Sequence, residues 1–197
     1  MPSSFTVNPA NDINRNKTDT PLSQKNQIPW NYINYTNAKA SAENMKKESN
    51  VQSGLITGRM WDRTMKWIED AGDNVQTDSK AWGNYKNAPV TGITEYSTND
   101  GATWTTVGVT IKETSTSWLL ETGHTDYTKR KNIYDLAGNL YEWTNEVYST
   151  KRVIRGGLYA DRGSEFPVAC RFGVDVSNTF SIMVGFRVRS LSQIADT

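Results

Sequence analysis

The feature that most constrains this chain is a change of apolar period part-way along it. Up to Gly72 the apolar residues recur at helical spacing, and from Ala81 onward they alternate or cluster between turn residues. Ala38, Ala42 and Met45 fall on one helical face after Thr36 and Asn37, either of which can cap. A second helix is better marked. Thr57 can cap it, Met60, Trp61, Thr64, Met65 and Ile68 form one stripe, and Gly72 supplies a C-terminal stop. Beyond Ala81, Trp82-Gly83-Asn84 and Asn87-Ala88-Pro89 are turn chemistry. Asn99-Asp100-Gly101 separates Thr94-Glu95-Tyr96 from a run in which Val107, Val109 and Ile111 alternate with Thr106, Gly108 and Thr110. That pattern predicts a β-hairpin with a type I′ turn. Short strands are expected at Arg152-Val153-Ile154 and Phe186-Arg187-Val188. Two helices early and short strands late predict an α+β fold.

Composition removes several function classes. The 197 residues suit one domain of ordinary size. Residues 1–27 are polar, without an apolar period or the apolar core of a signal peptide, so an extended arm is expected there and the ordered domain over 28–197. Lys+Arg at 22 against Asp+Glu at 21 lacks the basic excess that phosphate neutralisation needs, so no nucleic-acid partner is expected. One cysteine excludes an internal disulfide framework and Cys-rich zinc or iron–sulfur sites, and one histidine excludes His-rich metal sites. No stretch approaches the ~20 apolar residues of a membrane span, so no membrane insertion is expected. Cys170 and His124 are the sole Cys/His pair, and neither has a catalytic context: Cys170 reads as a half-buried inert thiol and His124 as a loop residue. Seven Trp and nine Tyr at a mean hydropathy of -0.65 suit either an irregular core or a binding face.

The richest segment is Asn132-Ile133-Tyr134-Asp135-Leu136-Ala137-Gly138-Asn139-Leu140-Tyr141-Glu142-Trp143-Thr144. It resembles the NxYDMAGNVWEWT signature of the formylglycine-generating-enzyme family, whose domain is a variant of the C-type lectin fold. Leu55 to Asp62 resembles the family's LPTEAEWE helix start, Trp82-Gly83-Asn84 its WGN, Arg155-Gly156-Gly157 its RGGS, and Gly185-Phe186-Arg187-Val188 its closing GFRV. The resemblance spans about residues 28 to 190, while the family's usual opening strand, FxWVPGGxFxMG, is absent. The family's oxidases bind copper with a cysteine pair after RGG. Here only Cys170 is present, just before the arginine of the AxR element, so no copper is expected. The histidine-rich iron site of the ergothioneine-synthase relatives is equally out of reach. The resemblance implies the family's fold without its chemistry, and hence no enzyme.

Within that family the C-terminal segment is similar to the variable proteins of diversity-generating retroelements, with their RGGxYxxxGSxxPxxxRxxxxxSNTxxxxGFR layout. Leu158, Ala160, Asp161, Arg162, Phe166, Cys170, Phe172, Gly173, Val174, Asp175, Val176, Phe180, Ser181 and Ile182 occupy the variable slots, and each is reachable by adenine mutagenesis of Asn codons. Glu165 and Met183 are not reachable and read as framework. The resemblance implies a non-catalytic protein displaying a diversified face, residues 158–184, to a cell-surface or extracellular protein, peptide or glycan. Because many such proteins belong to phages, it also implies virion association and phage receptor binding. Phe166, Phe172, Phe180 and Ile182 would be anchors, and Asp161, Arg162 and Asp175 polar contacts. Two other readings stand beside it: an oxidoreductase of the family with altered chemistry, and a plain virion structural module. The residues themselves also allow Phe172, Val174, Val176, Phe180 and Ile182 to be half-buried strand positions.

Relatives hold a structural calcium ion on the AGNxWEW loop. Carried over by position, the ligands are Asp135, the carbonyls of Gly138 and Leu140, and Glu142. Hard oxygens on a tight turn suit Ca²⁺, and the Asp in place of the relatives' Asn adds charge that favours a cation. The alternative is that Asp135 and Glu142 only brace this turn.

Overall fold

The computed structural model describes residues 17–45, 51–176 and 183–192. Helix α1 (Tyr35–Asn44) is capped by Asn34, whose side chain accepts the Asn37 N–H at 2.8 Å, just ahead of the expected capping residues. Its fully buried Ala38 and Ala42 let the helix lie close on strand β1 (Val51–Leu55). Helix α2 (Gly58–Glu69) starts as predicted, with Thr57 accepting the Met60 N–H at 3.2 Å, and Gly72 follows its end at φ +96°. Trp61, Met65 and Ile68 are its buried stripe.

The hairpin is formed by β2 (Thr91–Tyr96) and β3 (Thr105–Ile111). Asp100 and Gly101 both have positive φ, 61° and 88°, as a type I′ turn requires. The turn sits inside a longer loop that ties itself together: Gly101 N–H donates to Ser97 Oγ and Thr103 N–H to Asn99 Oδ1, both at 2.9 Å. The alternation marks a strand but not burial. Val109 and Ile111 are 80% and 54% exposed, because the hairpin is a separate two-stranded sheet whose buried contact comes from Ile93 on β2.

Two-residue strands β4 (Lys129–Arg130) and β5 (Ile133–Tyr134) lead into the main sheet. That sheet holds β6 (Tyr141–Tyr148), β7 (Lys151–Arg155), β8 (Phe172–Val174) and β9 (Val184–Phe186) in the order β8-β7-β6-β9, with β9 parallel to β6. The last strand, β10 (Val188–Ser192), pairs antiparallel with β1, Leu55 opposite Val188. Phe186-Arg187-Val188 is thus not one strand: Arg187 stands where the chain leaves one sheet for another.

Most indole rings are core. Trp61, Trp82 and Trp143 are fully buried, and each N–H finds a carbonyl, on Val168, Asn74 and Ile33 respectively, at 2.9 to 3.1 Å. The three Gly-containing motifs meet at one backbone hub. Asn84 N–H donates to Ala137 O at 2.9 Å, Asn139 N–H to Asn84 O at 3.0 Å, and Gly138 N–H to Gly156 O at 2.7 Å. Asn139 then exchanges side-chain bonds with both backbone groups of Leu120 and accepts from Asn84 Nδ2. The segment expected as a loose arm is docked from Lys17 onward: Ser41 and Asn44 donate to the Lys17 and Thr18 carbonyls, and Asn26 and Gln27 bond to the Thr122 backbone.

Candidate functional site

The C-terminal slots fall on and around the outer strand of the main sheet. Edge strand β8 carries Phe172, which is 49% exposed, with the exposed Asp175 and Val176 just beyond it. Phe172 joins Phe166 and Tyr141 in a three-ring cluster with centroids 6.3 to 6.4 Å apart. Behind the rings, Tyr141 O–H donates to Asp161 Oδ2 at 2.6 Å, and the Leu158 N–H donates to the same oxygen at 3.2 Å. Burial pushes the Asp161 carboxyl up, and these two donors pull it back. Burial, reinforced by Asp161, also lifts the Tyr141 phenol far above its ordinary range, so Tyr141 is a fixed donor and not a base. Arg162 is exposed beside Glu165.

Other slots are placed differently. Leu158 is 3% exposed and packs with Leu119, Leu140 and Tyr159, so it is interior and not a contact residue. The reason is local: Gly156 and Gly157, both at positive φ, turn the chain inward directly after Arg155. Ala160 lies half-buried against the same cluster, and Val174 half-buried against that of Trp143 and Ile154. Cys170 and Gly173 are half-buried. Phe180, Ser181 and Ile182 lie outside the described residues. Tyr141 was missed by the sequence reading. Its signal was the tyrosine in AGNLYEW, where the family signature has tryptophan.

The loop expected to hold calcium is organised around protein donors. Arg187 grips Glu142 with two N–H groups, Nε to Oε2 at 2.9 Å and Nη2 to Oε1 at 2.6 Å, and also donates to Tyr134 O at 3.0 Å. Asp135 accepts the Gly123 N–H at 2.6 Å and the Thr128 hydroxyl at 2.7 Å. Burial raises the Asp135 carboxyl, against those two bonds. All four carboxylate oxygens are spent, and a guanidinium already supplies the positive charge, so these residues do not fit a calcium ion. Among the described residues no group of three or more His, Cys, Asp or Glu side chains could hold a metal. EDTA or added calcium is therefore expected to leave the melting temperature unchanged. An ion at about a hundred times its Kd would add about 2.7 kcal/mol, roughly 5–11 °C for a domain of this length, and a rise of that size would restore the cation.

A catalytic cleft would need free acids or bases. A cavity of about 610 Å³ is lined by Gly58, Arg59, Asp62, Arg63, Lys66 and Glu146. Its two carboxylates are held by arginines. The fully buried Arg155 donates to Glu146 and Asp62 at 2.9 Å, and Arg171 bridges the same two acids from outside. His124 is likewise engaged: Nε2 accepts the Thr94 N–H at 3.0 Å, and Nδ1 lies 3.4 Å from Glu121.

The model of the Sulfatase-modifying factor enzyme 1-like domain matches residues 4–190. The chain belongs to that family. Its two helices packed on short mixed strands are the family's C-type lectin-like α+β fold, as the motif order predicts. No curated protein matches it. Among solved structures it is similar to variable protein 1 of Treponema denticola, at 16% identity and a TM-score of 0.43, over 74% of this chain and 50% of that one. It is also similar to the crystal structure of CarF, at 20% identity and a TM-score of 0.42, over 75% and 49%. The chain spans about half the length of either, and likenesses this distant say nothing of function. No helix among the described residues is long and apolar enough to cross a membrane.

Proposed function

We propose that the chain is a non-catalytic binding protein whose segment from Leu158 to Val184 presents a recognition face to a protein, peptide or glycan, as the retroelement variable proteins do. The observation that carries this reading is the ring cluster on β8. Phe172 is half exposed on an edge strand, backed by Phe166 and Tyr141 and fixed from behind by Asp161. An exposed aromatic held on a rigid scaffold is the usual anchor of an interface, since little conformational entropy is lost on binding. Arg162, Asp175 and Val176 surround it as exposed rim. The pairing of Asp62, Glu146 and Tyr141 with protein partners argues against acid–base chemistry.

Screening the full chain against a glycan array and a panel of immobilised surface proteins tests the reading. For a probe that binds, Phe172→Ala is expected to weaken affinity at least ~10-fold, about 1.4 kcal/mol, with the melting temperature unchanged. Binding that Phe172→Ala, Phe166→Ala and Arg162→Ala all leave untouched would place recognition elsewhere and sink the reading. Copper-dependent formylglycine formation on a sulfatase-type Cys peptide, above a Cys170→Ser control, would replace it with the family's oxidase activity. In the genome, a reverse transcriptase gene beside a near-copy of this tail, differing only at adenines, would supply the diversification.

A further inference from the structure

We propose that β3 is a self-association edge: two copies of this chain pair their β3 strands antiparallel about a two-fold axis at Gly108. Several observations converge on it. The β2–β3 sheet has only two strands, and among the described residues β3 has no backbone partner on its outer side. The strand reads Thr105-Thr106-Val107-Gly108-Val109-Thr110-Ile111, a β-prone run with no charge and no proline. Val109 is 80% and Ile111 54% exposed. Native proteins normally guard such an edge with lysine, proline or a covering element, because a bare row of N–H and C=O groups templates another strand. Here the strand carries neither residue type. Two slips in the β2 ladder twist the ribbon but leave its outer side open.

The occupant follows from the strand's own sequence. Pairing about Gly108 sets Val107 opposite Val109 of the second copy, Thr106 opposite Thr110 and Thr105 opposite Ile111. The nearest charges beyond the strand, Lys112 and Glu113, then face Trp104 and Thr103, so no like charges meet. The contact is isologous and closes after two copies. It also converts a two-stranded ribbon, marginal on its own, into a four-stranded sheet. The seven residues reach about 24 Å, less than a standard interface needs, so the dimer is weak.

Sedimentation velocity on the full chain, from about 5 µM to about 500 µM, covers the affinities a small interface gives. A reversible monomer–dimer equilibrium is expected in that range. Val109→Lys should raise the dissociation constant at least ~10-fold, with the melting temperature unchanged because the side chain is exposed. Val107→Glu combined with Val109→Lys should restore dimerisation, because the two-fold sets each glutamate opposite a lysine of the other copy. A chain that stays monomeric throughout overturns the proposal, as does a dimer indifferent to Val109→Lys. Failure of the double variant to recover overturns the two-fold register.

Discussion

Gly138→Ala is expected to remove most of the folded protein at moderate temperature, the largest effect of any single methyl group added to this chain. Gly138 sits at φ +71°, a left-handed conformation that costs an L-residue roughly 1–2 kcal/mol. Space is the greater obstacle. A Cβ there would lie closer than 3.0 Å to the carbonyl carbon and oxygen of Asn84, which are backbone atoms and cannot swing aside. Relief would mean separating WGN from AGN, breaking the Asn84–Ala137 and Asn139–Asn84 bonds and loosening Asn139 from Leu120. A loss of about 4 kcal/mol or more is large against a total of roughly 5–15 kcal/mol. Thermal melts should show a fall of at least ~10 °C for a chain of this size. Gly72→Ala is the control. It shares a positive φ, 96°, but meets nothing within 4 Å, so only strain of about 1 kcal/mol is expected. Equal losses in the two variants would show that the close approach to Asn84 is not what requires glycine.

That hub also explains why some of this molecule was legible in the sequence and some was not. The α2 start at Thr57, its Trp61 stripe and the Gly72 stop are local signals, and local hydrogen bonding realises them without modification. The order of WGN, AGN, RGG and GFR gave the fold because each glycine answers a close backbone approach that only this topology creates. Burial on β3 was illegible because alternation reports a pleated strand and not whether anything covers it. Leu158 was misplaced because the turn at Gly156-Gly157 decides its direction, and the slot pattern does not contain that turn. The fate of Asp135 and Glu142 was hidden for another reason. A carboxylate's partner is whatever donor arrives in space, and Arg187 arrives from 45 residues beyond Glu142. Spacing within the AGNLYEW loop could not reveal that competitor.

Arg187→Met is expected to be nearly as damaging, through electrostatics and not through packing. Methionine keeps much of the aliphatic stem but leaves Glu142 without the two N–H groups it accepts and Tyr134 O without its donor. Glu142 is 7% exposed, and a buried carboxylate stripped of its partner typically costs about 3–5 kcal/mol. At this chain length that is a fall of roughly 6–20 °C. The pH dependence identifies the cause. Burial pushes the Glu142 carboxyl up and Arg187 pulls it down, so removing the arginine leaves only the upward push, with Asp135 adding to it. A carboxyl whose folded pKa lies above its unfolded value stabilises the fold below the unfolded value, and loses that contribution as pH rises through the folded one. The deficit of Arg187→Met relative to the wild type should therefore be smallest near pH 4 and widen toward pH 7. Glu142→Gln in the Arg187→Met background should recover much of the loss at pH 7, because a neutral amide carries no buried charge. A deficit that is flat with pH, and unmoved by Glu142→Gln, would mean that Arg187 acts by filling space where the chain passes between its two sheets.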